Sequence, residues 1–318
     1  MNVFGLSLEE LQSYQPKQTK KKDFNEFWEQ RIEESKGQSL HISHESRSYC
    51  LPGVEVYDVY FEGFRNSRIH STYIKPTETN SNAPTAVIFE GYNWGMLQPH
   101  HAFHYTIQGI PVLLVETRGQ TTKSPDHNVY QNGGPSGWTT LGIKNPDTYY
   151  YSYVYMDCYR SIEVARELSN TKAILLGGSS QGGALALASA ALHKDIMLAL
   201  IDVPFLTDFK RSIELASQGP YSEIQHYFKV HDPLHKTQAV IYNTLSYVDC
   251  INLASLVTCP TLIGIGLKDE VCPPSSGFAL YHQLKGEKKI QVYPEFFHEL
   301  PPIHEEEKLK FLNSKRSW

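Results

Sequence analysis

The sequence predicts an α/β fold: a mostly parallel sheet covered by helices, preceded by an antiparallel hairpin and interrupted by one helical insertion. Three observations carry this. From residue 85 onward, short unbroken apolar runs such as VIF, VLLV and AILL alternate with helical patterns, as strands buried on both faces require. Upstream, two strand-like runs are joined by a link containing Gly and Asn, a hairpin signal. Residues 205–256 form a long polar and aromatic stretch with helical patches and no convincing strand.

The elements follow in order. Phe24, Phe27, Trp28 and Ile32 recur at helical spacing, which predicts a helix over Asp23–Ser35. Val54–Phe61 (VEVYDVYF) and Ser67–Lys75 (SRIHSTYIK) flank FEGFRNS as the hairpin, and the polar linker Pro76–Pro84 separates it from the core. The core strands are Thr85–Phe89, Val112–Val115, Ala173–Leu176, Leu198–Val203, Thr261–Gly266 and Lys289–Tyr293. Helices are expected over Pro99–Gln108, Tyr149–Leu168, Gln181–Leu192, Ser275–Leu284 and Glu305–Asn313. An insertion the size of Phe205–Leu256, lying between two sheet strands, is expected to sit over the strand ends as a cap within a single domain spanning 1–318.

Composition narrows the function classes. The 318 residues carry 29 Lys+Arg against 34 Asp+Glu, so no basic excess exists to neutralise phosphates and nucleic acid is not the expected partner. No stretch approaches the roughly 18 apolar residues of a membrane span. The opening MNVFGLSLEELQ lacks the basic start and apolar run of a signal peptide. Five cysteines (50, 158, 250, 259, 272) are scattered without a CxxC pair and read as reduced thiols of a cytoplasmic protein. The expectation is an intracellular enzyme without metal or cofactor.

The strongest chemical signal lies in ILLGGSSQGGALALASAAL, residues 174–192. Gly178-Ser179-Ser180-Gln181-Gly182 is G-x-S-x-G centred on Ser180, with an apolar strand before it and a small-residue helix after it. That is the strand–turn–helix context of a nucleophile elbow in an α/β-hydrolase fold. The turn admits only small residues two places either side of the serine, which Gly178 and Gly182 supply; Ser179 lacks that flanking pair. A serine hydroxyl needs a base and a group to orient the base, and in this fold they follow in the order Ser, Asp or Glu, His. Asp269 follows the strand LIGIG, with Glu270 as its neighbouring rival, and His298 follows IQVYP. The predicted triad is Ser180–Asp269–His298. His304, in the charged helix start IHEEEKLK, is expected to be solvated.

Two backbone N–H donors are needed for an oxyanion. Gln181, next after the nucleophile, is one; Tyr92, in the loop EGYNWG after TAVIF, is the candidate for the other. Tyr92, Trp94 and the segment Gly133–Trp138, with Trp138 at its end, are the expected walls of a tight acyl pocket. His100, His101 and His104 cluster in QPHHAFH, with His100 and His104 at i, i+4 on the expected helix, but no carboxylate or thiolate completes a metal set. The tyrosines of DTYYYSYVYMDCYR read as packing.

Several stretches together resemble one known family, the acetyl xylan esterases and cephalosporin C deacetylases of carbohydrate esterase family seven. They are EGYNW, ETRGQ, GWTTLGIKNPDTYYYSYVYMD, GGSSQGGALAL, DVPFLTDFKR, TLSYVDCIN, GLKDEVCPPSSGFA and YPEFFHE, in that order over most of the chain. The resemblance implies an α/β-hydrolase fold and metal-free hydrolysis of acetyl esters of xylo-oligosaccharides, other sugars and cephalosporin C. It also implies a homo-oligomer, typically a hexamer with active sites facing an internal cavity. Ser180, Asp269 and His298 fall on the family's triad, and Tyr92 and Gln181 on its oxyanion donors. The chain departs from the family pattern at Glu90, Thr121, Leu141, Pro301 and Pro302, none of them in the triad. Two rival readings have less support. A peptidase of the prolyl oligopeptidase type would be expected to show an acidic pair for an N-terminal amine, and a non-catalytic hydrolase fold a broken elbow.

Overall fold

In the computed structural model, which describes residues 2–78, 80, 82–95, 97–131, 137–316 and 318, two short paired strands come first, β1 (Asn2–Val3) and β2 (Leu6–Ser7). Ser7 then starts α1 (Leu8–Ser13) by accepting from the Glu10 amide while the Glu10 carboxylate accepts from the Ser7 amide, a reciprocal cap. Next is α2 (Phe24–Lys36), which buries Phe24, Phe27 and Trp28 at the spacing read from sequence. Strands β3 (Ser43–Arg47), β4 (Val54–Glu62) and β5 (Arg68–Pro76) pair antiparallel. The edge strand β3, SHESR, was not expected; it is almost wholly exposed and charged, so it carries no apolar alternation.

Then come β6 (Thr85–Phe89), a 3₁₀ turn at Pro99–Ala102, the single-turn α3 (Phe103–Thr106) and β7 (Val112–Val115). The continuous helix predicted over Pro99–Gln108 is therefore two short pieces. His101 Nδ1 accepts from the Gln98 amide at 3.0 Å, which tightens the first piece, and Gly109 at φ +78° ends the second. A 3₁₀ turn at Trp138–Thr140 precedes α4 (Tyr150–Ser169), β8 (Ile174–Ser179), α5 (Gln181–Leu192) and β9 (Ile196–Asp202). The stretch 205–256 carries α6 (Phe209–Leu215), α7 (Tyr221–His231), α8 (Gln238–Val248) and α9 (Cys250–Ala254). The chain continues through β10 (Thr261–Gly266), α10 (Pro274–Gln283), β11 (Lys288–Tyr293) and α11 (Ile303–Ser314).

Among the described residues nine strands form one sheet in the order β11-β10-β9-β8-β6-β7-β5-β4-β3. The six from β11 to β7 are parallel, and β5, β4 and β3 continue antiparallel. Alternate residues of the strands enter two separate cores. On one face Val87, Phe89, Leu176, Ile201 and Ile263 pack against α2, α4, α5 and α8 to α10. On the other Ala86, Leu114, Leu175, Leu200 and Leu262 cluster with Ala102, Tyr105, Phe311 and Leu312 from the turn, α3 and α11. The mostly parallel sheet, flanked by helices, is the α/β-hydrolase fold.

Candidate active site

The parallel strands β6, β8, β9, β10 and β11 all end toward one edge, and the residues just past those ends build the site. Since β8 ends at Ser179 and α5 begins at Gln181, Ser180 alone is the turn. Its φ of +57° and ψ of −117° lie where side-chain-bearing residues are strained. The neighbourhood holds it there. The Ser180 amide donates to the Asp202 carbonyl at 2.9 Å, and its own carbonyl accepts from the Phe205 and Ala184 amides, both at 3.1 Å. A Cβ on Gly182 would collide with the Phe89 carbonyl, and one on Gly178 with the Gly182 backbone. These contacts are the physical content of the two glycines in the motif.

Asp269, 1% exposed, sits past the end of β10. Its Oδ1 accepts from the amides of Val271 (2.9 Å) and Cys272 (2.8 Å), which fixes the carboxylate, and its Oδ2 lies 2.8 Å from His298 Nδ1. His298 Nε2 lies 2.9 Å from Ser180 Oγ. The neighbouring Glu270 is exposed and accepts from Ser217 instead. A hydroxyl bonded to an imidazole, whose other nitrogen is held by a buried carboxylate, is an arrangement able to carry out nucleophilic acyl transfer.

Of the two predicted oxyanion donors, neither the Tyr92 nor the Gln181 N–H has an acceptor among the described residues. The Gln181 side chain is fully buried and turned away. It exchanges hydrogen bonds with Gln120 (2.9 and 3.0 Å), accepts from Tyr151 Oη (2.9 Å) and donates to Thr117 Oγ1 (3.3 Å). Gln120 Oε1 also accepts the Asn93 amide at 2.9 Å, so the same amide pair pins the loop that carries Tyr92. Tyr92 Oη donates to Glu223 of α7 and accepts from the Trp138 amide at 3.0 Å. Burial and the Glu223 charge push its hydroxyl well above the usual tyrosine range. Glu223 also accepts the Thr139 amide at 3.1 Å. Sequence reasoning missed Glu223 because nothing in its segment announces that α7 returns to the elbow.

A cavity of about 1010 Å³ opens over Ser180 and His298 and is walled in part by Tyr92, Trp94, Gly219, Pro220 and Glu223. Trp94 stands at its rim, 82% exposed. Trp138 does not line it: its ring is edge-on to Tyr92 at 5.5 Å and supports that side chain from behind. Residues 133–136 of the expected wall lie outside the described residues. The His100 and His104 rings do not share a continuous helix face; one packs on His101 at 4.1 Å and the other on Tyr105 at 4.0 Å. Among the described residues no group of three His, Cys, Asp or Glu could hold a metal ion.

His304 corrects an expectation. It is 1% exposed, with Nε2 2.8 Å from Asp202 Oδ1 and Nδ1 3.0 Å from Tyr293 Oη. Asp202 Oδ2 takes Lys308 Nζ at 2.9 Å. The charged stretch IHEEEKLK is thus split between a solvated face and a buried polar cluster, since α11 packs on the sheet across Gly264. Asp202 carried a legible signal, a carboxylate ending the apolar strand IMLALID. Glu90 is also buried; its Oε1 accepts the Thr117 amide at 2.7 Å, its Oε2 has no hydrogen-bond partner among the described residues, and burial raises its pKa to about 8. Thr121 donates to Glu116, and Pro301 and Pro302 lead into α11, their carbonyls accepting from the His304 and Glu305 amides. Leu141 packs against the larger core. Tyr149, Tyr150, Tyr151 and Tyr155 are wholly buried in that core. Cys158, Cys250, Cys259 and Cys272 are buried and free, and only Cys50 is exposed.

The family model for acetyl xylan esterases matches residues 1–315. An acetyl xylan esterase from Paenibacillus sp. R4 superimposes with a TM-score of 0.94 at 37% identity, covering 97% of this chain and 99% of that one. Acetyl xylan esterase 1 from Thermoanaerobacterium sp. JW/SL YS485 gives 0.93 at 30%, covering 98% and 99%. Acetyl esterase Axe7A of Xylanibacter ruminicola is 25% identical over 86% of this chain, which spans 62% of that protein's length. Elbow, sheet order and relatives converge: the chain belongs to the acetyl xylan esterase family.

Proposed function

We propose that this protein is a serine esterase that removes acetyl and other short acyl groups from acetylated xylo-oligosaccharides and related sugars, with cephalosporin C as a further substrate. The observation that carries the reading is the hydrogen-bonded row Ser180–His298–Asp269 at the mouth of a cavity. Ser180 Oγ attacks the acetyl carbonyl as His298 Nε2 takes its proton, and Asp269 holds the ring and stabilises its charged form. The Tyr92 and Gln181 amides receive the developing oxyanion, the second at the N-terminus of α5. His298 then protonates the leaving alcohol, and water repeats the cycle on the acyl-enzyme.

The first part of the 205–256 insertion acts as the cap, since Gly219, Pro220 and Glu223 face the cavity. No helix among the described residues is long and apolar enough to cross a membrane, and the four buried free thiols suit a reducing cytoplasm. Assembly into a homo-oligomer, a hexamer as the family resemblance implies, is read out by sedimentation. The deciding experiment is hydrolysis of p-nitrophenyl acetate by the wild type beside Ser180→Ala. Turnover by the first and background by the folded second is expected; equal activity in both would overturn the assignment. Octanoyl esters should be poor substrates, and octanoyl turnover equal to acetyl would remove the short-acyl preference.

A further inference from the structure

The cavity extends far past the nucleophile. From Ser180 and His298 it runs along the second face of the sheet, over Ile88, Leu114 and Leu200, with the 3₁₀ turn and α3 on one side and α11 on the other. A four-residue α3 leaves space there that long helices fill on the opposite face. The floor is aliphatic, but the walls are polar and incompletely satisfied. Lys308 Nζ gives hydrogen bonds to Asp202 (2.9 Å) and Glu305 (2.6 Å), which leaves it one N–H. Opposite, neither the Tyr105 hydroxyl nor the His104 ring nitrogens have a hydrogen-bond partner among the described residues, and both residues line the cavity. Lys308, Glu305 and Asp202 all act electrostatically on that hydroxyl.

An acetyl group is far too small for this space, and the oxyanion donors hold it at the mouth. We propose that the inner chamber binds the alcohol portion of the ester and selects a neutral, hydroxyl-rich ring, with Tyr105, His104 and Lys308 as its hydrogen-bonding residues. The claim rests on the esterase reading above. An aliphatic floor with a few convergent donors and acceptors suits the apolar face and hydroxyl rim of a sugar. Its charge argues against an anionic alcohol: Asp202 and Glu305 share the one ammonium of Lys308, and Glu299 adds a third carboxylate. A cephem carrying its own carboxylate meets repulsion there.

The test compares kcat/KM for acetylated xylo-oligosaccharides, p-nitrophenyl acetate and cephalosporin C in the wild type, Tyr105→Phe, His104→Phe and Glu305→Gln. Each of the first two variants is expected to lower the ratio of sugar-ester to p-nitrophenyl acetate turnover by roughly fivefold, the value of one hydrogen bond. Glu305→Gln is expected to raise the cephalosporin-to-sugar ratio by at least about threefold, as one like charge is removed. Its side chain is 53% exposed, so this variant keeps the test available should the other two unfold. Ratios within about twofold of wild type in every folded variant overturn the chamber while leaving the esterase intact. A wild type without Ser180-dependent turnover overturns the esterase reading and the chamber with it. Xylobiose binding to Ser180→Ala, measured by calorimetry, separates the two: its weakening by Tyr105→Phe supports the chamber independently of turnover, and its absence counts against it.

Discussion

The two faces of the sheet are built on different principles. One is covered by α2, α4, α5 and α8 to α10, and its core interlocks buried tyrosines, aliphatic strand residues and the small face of α5. The other is covered by one turn of 3₁₀ helix, the short α3 and α11, and it keeps a cavity and a buried Asp202–His304–Lys308 cluster. Ser180 stands at the boundary. Its turn is wedged from the first face by Gly182 against β6, and it is tied by its amide to Asp202, whose carboxylate belongs to the second. Close packing thus sets the conformation of Ser180, and hydrogen-bonded polar groups shape the space in front of it.

That contrast can be broken at graded cost. The largest effect is expected at the shared edge: Asp269→Asn should lower kcat on p-nitrophenyl acetate by roughly 10³–10⁴-fold with little change in Tm, because the imidazole loses its orienting acceptor. A loss under tenfold would remove Asp269 from the triad. On the packed face, Gly182→Ala should cost about 3 kcal/mol in denaturant unfolding and most of the activity, since no flexible side chain can yield to the new Cβ. An unchanged midpoint would show that the elbow is not pinned by β6.

On the thinner face, His304→Ala should cost about 2 kcal/mol, because Asp202 and Tyr293 each lose a buried partner. A cost no larger than that of an exposed histidine such as His41 would return His304 to the solvated class. The smallest signal is a slope with pH. Burial raises the Glu90 pKa from an ordinary 4.5 to about 8, so between those values the folded chain holds a proton that the unfolded chain has released. This contribution is full below about 4.5 and is lost as pH rises to 8. Glu90→Gln should therefore gain stability over wild type by up to about 1.4 kcal/mol per pH unit across that window and level off above it. A pH-independent difference would mean that Glu90 is ionised throughout.

What was legible in the sequence follows the same division. Ser180 is readable because its requirements are local: a strand, two glycines and a small-residue helix within twenty residues. Asp269 and His298, which the structure joins to Ser180 in one hydrogen-bonded row, are readable from their places just past apolar strands. His304 is not, because its burial depends on Gly264, where a Cβ would stand 2.6 Å from the imidazole Nε2. A helix start rich in glutamate looks solvated when that distant glycine is out of view. Trp138 failed as a pocket wall for a similar reason: Glu223, far along the chain, draws Tyr92 toward it and leaves the indole behind the tyrosine ring. The single turn of α3 escaped notice because PHHAFHYTIQ has helical spacing, while Gln98 and Gly109 cut it short at both ends.

The arrangement at Asp202 also bears on how the protein is made. A nascent chain halted after residue 302 already contains Ser180, Asp269 and His298. It still lacks the imidazole of His304 and the ammonium of Lys308, the two groups that meet the Asp202 carboxylate behind the Ser180 turn. That carboxylate would be left facing the sheet uncompensated. The elbow therefore acquires its finished electrostatic surroundings only when α11 has packed against the sheet.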